Sequence, residues 1–318
     1  MTSFIQNTDF FSFINPEEIA SEYGTPVYVY NEKILRDRMS KVAKVITKYP
    51  YTANYSVKVN TNIHILKLAL EEGLNCDAMS VGEITLLMKA GFPVERIFFV
   101  PNNVAPYELA FALKNGVMTS LDSLSQLELF GEVCNQMEIA PENRKCAVRI
   151  NPGVGAGHHE KVVTGGKKTK FGIAEYSIPQ IFEIAEKYQI TIAGINQHIG
   201  SLFMDPQPYL DAVTNLLRIA HQFKNLEFID FGGGYGIPYH KLDDEKDFPM
   251  EDFKSRLEPI LDEFVASYGK APLFKSEPGR YCVAEGSVIL GRVHATKENS
   301  GIQFAGSDIG MNVLVRPS

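Results

Sequence analysis

Lys58 is the first residue in this chain whose type and position suit covalent chemistry. Tyr55-Ser56-Val57-Lys58-Val59-Asn60 continues an apolar run begun at Tyr51 and Ala53, which predicts a buried strand. Asn60-Thr61-Asn62 ahead of Ile63, Leu66, Leu68 and Leu70 predicts a capped helix. Lys58 then stands at a strand's carboxyl end, as a nucleophilic amine facing a crevice or as a solvated cation on a flexible stem. Other predicted strand ends carry reactive types too: Asp77, Asp122, Arg149 with Asn151, His198 with Ser201, Gly232-Gly233-Gly234, and Glu277-Pro278-Gly279-Arg280. Gathered on one face, an amine, an imidazole, carboxylates and guanidinium groups would move protons and hold an anionic small molecule.

Each residue also has a plainer reading. The run Asp230 to Gly236, with four glycines in five residues, either lets backbone N–H groups approach an anion or forms a flexible turn. Glu277 precedes a proline, so its backbone is biased to extended geometry and its side chain projects from a strand end; the alternative is an ion pair with Arg280. His198, between Gln197 and Ile199, is either a ligand-facing imidazole or a satisfied core histidine. Three other patterns fail: Gly153 to Gly157 opens no helix, Gly165 to Thr169 lacks P-loop spacing, and His158 and His159 are adjacent rather than a helical turn apart. No metal site is expected.

Strand signals fall at Tyr51 to Val57, Leu74 to Ala78, Arg96 to Val100, Val117 to Leu121, Cys146 to Ile150, Thr191 to His198, Leu226 to Phe231 and Pro272 to Ser276. Helical patterns lie between most of them, near Val81 to Ala90, Ala105 to Lys114, Ser123 to Met137, Ile178 to Tyr188, Tyr209 to Phe223 and Phe253 to Tyr268. Eight such strands alternating with helices predict an α/β fold, a TIM-like (β/α)8 barrel over residues 31–280. An open doubly wound sheet is the lesser alternative, lacking a dinucleotide fingerprint. Residues 1–30, with a β-rich run at Thr25 to Tyr30, and residues 281–318, β-like at Tyr281 to Arg292 and Ile302 to Ser307, are expected to contribute to an incomplete second β-domain.

The chain has 318 residues, 45% of them hydrophobic and 22% charged, and a net charge of -7, which favours small-molecule chemistry over nucleic acid or an anionic membrane. Four scattered cysteines, Cys76, Cys134, Cys146 and Cys282, form no CxxC pair and suit a reducing cytoplasm. The start lacks a basic region followed by an apolar core, and no segment reaches the roughly 20 apolar residues of a membrane span.

In order and spacing, the motifs Tyr55 to Asn60, Gly73 to Asp77 with Ser80 to Glu83, Arg149 to Pro152, Thr164-Gly165 with Lys170 to Gly172, His198 to Ser201, Asp230 to Gly236, Glu277 to Arg280, and Gly310 to Asn312 with Arg316-Pro317 resemble the barrel-fold pyridoxal-phosphate decarboxylases. The resemblance implies that Lys58 carries pyridoxal 5'-phosphate as a Schiff base, His198 lies against the ring and Glu277 pairs with the ring nitrogen. It implies further that Ser201, Gly232, Gly233, Gly234, Pro278, Gly279 and Arg280 surround the cofactor, with Asp77 and Arg149 behind them and Arg280 and Arg316 facing substrate. The expected reaction is decarboxylation of meso-2,6-diaminopimelate to L-lysine, with ornithine, lysine or arginine as alternative substrates and a non-catalytic cofactor-holding protein as the competing class. Relatives are expected to be homodimers with shared active sites, and to continue into a Cys-Glu-Ser-Gly-Asp stretch and a tyrosine that this chain lacks. The chain is therefore expected to be a fragment with an incomplete site, and its general acid is unassigned. Where relatives often carry His-x-His, this chain has Asn196-Gln197-His198.

Overall fold

The structure, a computed structural model, describes residues 10–12, 14–151, 153, 169–239 and 245–314. Eight parallel strands close into a barrel: β2 (Tyr51–Ser56), β3 (Asn75–Ala78), β4 (Ile97–Phe99), β5 (Met118–Leu121), β6 (Lys145–Asn151), β8 (Thr191–Asn196), β9 (Phe228–Asp230) and β10 (Leu273–Ser276). Each pairs with the next, β5 with β6 and β10 with β2, so no edge is left in the ring. A further short strand, β7 (Ile173–Ala174), pairs parallel with the end of β6.

The helices between the strands follow the apolar period and stop where caps dictate. Helix α4 (Val81–Ala90) begins at Ser80, whose side chain accepts from the Glu83 N–H, and ends at Gly91, where φ is +98°. The α7 helix (Ile178–Tyr188) occupies the predicted span, and α5 (Pro106–Lys114), α6 (Leu124–Gln136), α8 (Gln207–Ala220) and α9 (Met250–Tyr268) lie within three residues of theirs at each end. Two helices precede or open the barrel, α1 (Pro16–Tyr23) and α2 (Glu32–Val42), with α3 (Ile63–Glu71) following β2. The first was not legible: its sequence carries no buried residue and thus no apolar stripe.

Two cores result from the alternation of side chains along each strand. Ala53, Tyr55, Phe274 and Ile229 join the large apolar layer between strands and helices. A small second cluster, Phe98, Val100, Ala147 and Phe228, fills one end of the barrel interior. There the Phe228 ring lies so close to Gly194 that a Cβ on that glycine would sit 2.4 Å from it. The rest of the interior is polar. Asn54 bonds Asp230 across the barrel at 3.3 Å, and Ser120 bonds Asn196 at 2.6 Å.

Beyond the barrel the sequence reading needs correction. The stretch from Arg280 is helical before it is β: α10 (Arg280–Val283) runs into a single tight turn, Ala284–Gly286, and β11 (Ser287–Leu290) starts only then. Tyr281, Cys282 and Val283 are all buried, and a short apolar run does not by itself distinguish helix from strand. β1 (Val27–Tyr30) pairs antiparallel with β11, as expected for the N-terminal run, while β12 (Val293–Asn299) and β13 (Ile302–Ser307) form an exposed hairpin. This region is tied to the barrel by Arg38 on α2, whose guanidinium meets Glu285 at 2.6 Å and the Tyr281 hydroxyl at 3.2 Å.

Candidate active site

Lys58 does not end a strand; it sits on the tight 3-10 turn Val57–Val59 that follows β2. That turn is locked to the end of β10. Ser56 donates its N–H to the Pro278 carbonyl at 3.3 Å and its hydroxyl to the Glu277 carbonyl at 3.2 Å. Gly279 is pressed against the same turn, since a Cβ there would lie 2.7 Å from Val59 Cγ1. The glycine in the Glu-Pro-Gly-Arg motif is therefore required by close packing beneath Lys58.

These contacts open a cavity of about 570 Å³ whose wall includes Lys58, His198, Ser201, Gly234, Glu277 and Arg280. Tyr28, Tyr30 and Ser287, from β1 and β11, complete its rim. Lys58 is exposed into this space and His198 is half-buried. Arg280 does not pair with Glu277: its Nη1 donates to the Tyr239 hydroxyl at 2.5 Å, and its buried Nε has no partner among the described residues.

His198 is fixed by the glycine run. Gly233 N–H donates to its Nδ1 at 3.3 Å, which leaves the ring proton on Nε2. Burial, with Lys58 and Arg149 nearby, holds its pKa well below the usual histidine value, so the imidazole is neutral. Gly232 donates its N–H to Asp230 Oδ1 at 2.9 Å. Only Gly234 of the three consecutive glycines lies on the cavity wall. The run is not a flexible turn, because a Cβ on Gly233 would stand 1.8 Å from the Glu277 carbonyl and one on Gly232 would stand 2.3 Å from that of Gln197.

Glu277 is 5% exposed, and its Oε1 has no hydrogen-bond partner among the described residues. Burial and the carboxyl of Asp230 raise its pKa to about 8, opposed by Lys58, Arg149 and Lys275. Asp77 lies behind the cavity, fully buried, and burial followed by Glu277 raises its pKa well above the ordinary carboxylate value. Arg149 is likewise interior, stacked 4.8 Å from the Phe171 ring centroid and 3.7 Å from Asp122. Arg316 and the predicted Thr164-Gly165 motif lie outside the described residues.

Sequence reasoning missed Asp230 as a site residue, and missed Asn54, Tyr239 and Lys275 altogether. The interior ones had a signal: in β2 the polar residues Thr52, Asn54 and Ser56 alternate with the apolar Tyr51, Ala53 and Tyr55. Cys282, a possible substitute acid, is buried with its thiol 3.6 Å from the Pro278 carbonyl, and burial pushes its pKa up. It is not on the cavity wall.

A parallel barrel with a lysine, a neutral histidine and a buried carboxyl around one cavity has close counterparts. The model of the pyridoxal-dependent decarboxylase family's pyridoxal binding domain matches residues 32–284, and the chain belongs to that family. Diaminopimelate decarboxylase from Methanothermobacter thermautotrophicus is 40% identical over 309 residues, covering 95% of this chain and 70% of its own length. The enzyme of that name from Aquifex aeolicus is 31% identical, over 97% of this chain and 72% of its own. The crystal structure of diaminopimelate decarboxylase from Helicobacter pylori complexed with L-lysine superposes with a TM-score of 0.86 at 28% identity, over 95% of this chain and 75% of that one.

The family's cofactor, pyridoxal phosphate, fits the residues present. The unpartnered Glu277 Oε1 and Arg280 Nε are buried polar atoms beside the cavity that need a partner, and Lys58 offers the amine. No helix of the described residues is long and apolar enough to cross a membrane.

Proposed function

We propose that this chain carries out pyridoxal-phosphate-dependent decarboxylation of meso-2,6-diaminopimelate, giving L-lysine, in the cytoplasm and as a homodimer. The reading is carried by one observation: Lys58, His198 and Glu277, which follow three separate strands of the barrel, line a single cavity. The substrate follows from the likeness to diaminopimelate decarboxylases over nearly the whole chain. Four free, buried cysteines suit a reducing compartment.

When bound, the cofactor supplies an electron sink for the carbanion left by loss of carbon dioxide. Lys58 would hold it through its amine, Glu277 would face its ring nitrogen, and Ser201, Gly234 and Arg280 would surround its phosphate. Gly232, Gly233, Pro278 and Gly279 shape that wall, with Asp77 and Arg149 as charged neighbours behind it. Glu277, as a carboxylate in a buried site, favours a protonated partner and so keeps a nitrogen opposite it charged. His198, held neutral with its proton on Nε2, presents a flat uncharged ring that repels neither a cation nor a carboxylate. Lys58, whose amine opens into the cavity, would also be placed to carry a proton to or from the reacting atoms. Arg280 and Arg316 would bind a substrate carboxylate.

Competition between substrates tests the assignment. With the purified protein, carbon dioxide is expected to be released faster from meso-diaminopimelate than from ornithine, lysine or arginine at equal concentration. Preference for any of the other three would overturn the substrate, and cofactor absorbance without gas release would indicate a cofactor-holding protein instead. Sedimentation at several concentrations tests the dimer.

A further inference from the structure

We infer that Lys275 and Asp230 are positioning residues that govern the charge state of Glu277 from beneath, as a column of charged groups down the inside of the barrel. The inference deepens the proposed function, because it rests on Glu277 as the carboxylate that faces the cofactor nitrogen. Lys275 lies two residues before Glu277 in the chain, on β10, so both project to the barrel interior. Its Cα is the register partner of Asp230 on β9.

Lys275 is an unusual core residue. It is 9% exposed, and its ammonium sits 3.8 Å from the Phe228 ring centroid and 4.9 Å from that of Phe98. The carboxyls that act on it are Asp230 first and Glu277 second. A methionine or leucine would pack between two phenylalanines without the cost of burying a charge. What the charge does is act on the carboxyls above. Asp230 is completely buried and held by the Gly232 N–H on one oxygen and Asn54 on the other.

The charged groups that act on Glu277 are Asp230 of β9, Asp77 of β3, Arg149 of β6, Lys58 of the turn after β2 and Lys275 of β10. Asp230 and Asp77 favour a proton on Glu277, and the three cations oppose it. Lys58 is committed to covalent work at the cavity, and Arg149 is shared with Asp122. That leaves Lys275, which acts on Asp230 and Glu277 from inside the barrel. Without it, Glu277 would hold its proton to still higher pH.

The test uses the full chain without cofactor. The protonated-carboxyl band in the infrared is titrated in the parent protein, and Glu277→Gln identifies which part of the band belongs to Glu277. Lys275→Met is expected to move the Glu277 midpoint up by about one pH unit, and Asp230→Asn to move it down by a similar amount. Midpoints unchanged in folded variants would overturn the inference. Should Lys275→Met fail to fold, the nearly isosteric Asp230→Asn decides alone. Pyridoxal phosphate absorbance is measured in parallel: shifted carboxyl midpoints in a protein that binds no cofactor would refute the functional reading while leaving the column intact.

Discussion

At the scale of single residues, the site depends on groups held in charge states they would not adopt in water. His198 is kept neutral by burial and by two neighbouring cations, while Glu277 is raised toward neutrality by burial and a second carboxyl. Two substitutions separate these roles. Lys58→Ala is expected to abolish the cofactor's lysine-linked absorbance and lower turnover by roughly 10²–10⁴-fold, the range for losing a group that moves protons. A mutant that kept both would leave that amine without a role. Glu277→Gln should bind cofactor yet lose turnover, since a neutral amide cannot hold a ring nitrogen protonated; turnover equal to the parent's would remove Glu277 from the mechanism.

At the scale of elements, the catalytic edge is built where strand ends touch without room for side chains. Gly233 stands against the Glu277 carbonyl, and Gly279 against the Lys58 turn. Gly233→Ala is therefore expected to destabilise by about 1–3 kcal/mol or more, because backbone rather than a flexible side chain must move. Thermal melts of the purified variant check this, and an unchanged melting temperature would show that β9 and β10 can separate. The joint between barrel and β-strands is of another kind, a buried ion pair. Removing one partner strands the other charge, so Arg38→Met should cost about 3–5 kcal/mol, whereas a surface pair such as Lys41 with Asp37 contributes about 0–1 kcal/mol. A melt of Lys41→Met beside Arg38→Met makes the comparison.

At the scale of the whole molecule, these buried groups couple stability to pH. Glu277 has a raised pKa in the folded state, so between the ordinary carboxylate range and about pH 8 the folded protein holds a proton that the unfolded chain has released. Its contribution is complete at acidic pH and is lost as pH rises through about 8. His198 acts in the opposite sense: its folded pKa is depressed, so its contribution is complete above the ordinary value of 6.5 and lost as pH falls. The cofactor-free protein is thus expected to lose melting temperature between about pH 6.5 and 8 and to level off above that, and Glu277→Gln to flatten the decline. Parallel curves for the two proteins would mean that Glu277 does not titrate in that window.

The barrel and its reactive rim were legible because both are written in short-range patterns. Apolar residues at strand and helix periods give the alternating elements, and a chain of eight such units has few ways to close. Glycine runs, Glu-Pro and the lysine after an apolar strand mark strand ends locally. The polar interior was hidden, since Asn54, Asp230 and Lys275 look like solvent-facing residues until closure turns that side of each strand inward. Helical structure at Arg280–Val283 was hidden as well, because a buried short run satisfies either period. Residue types and their order along the chain determined which chemistry was available. Tertiary structure alone decided which carboxyl faces which cation across the barrel, because burial and distance, rather than sequence separation, set the protonation of every group in the site.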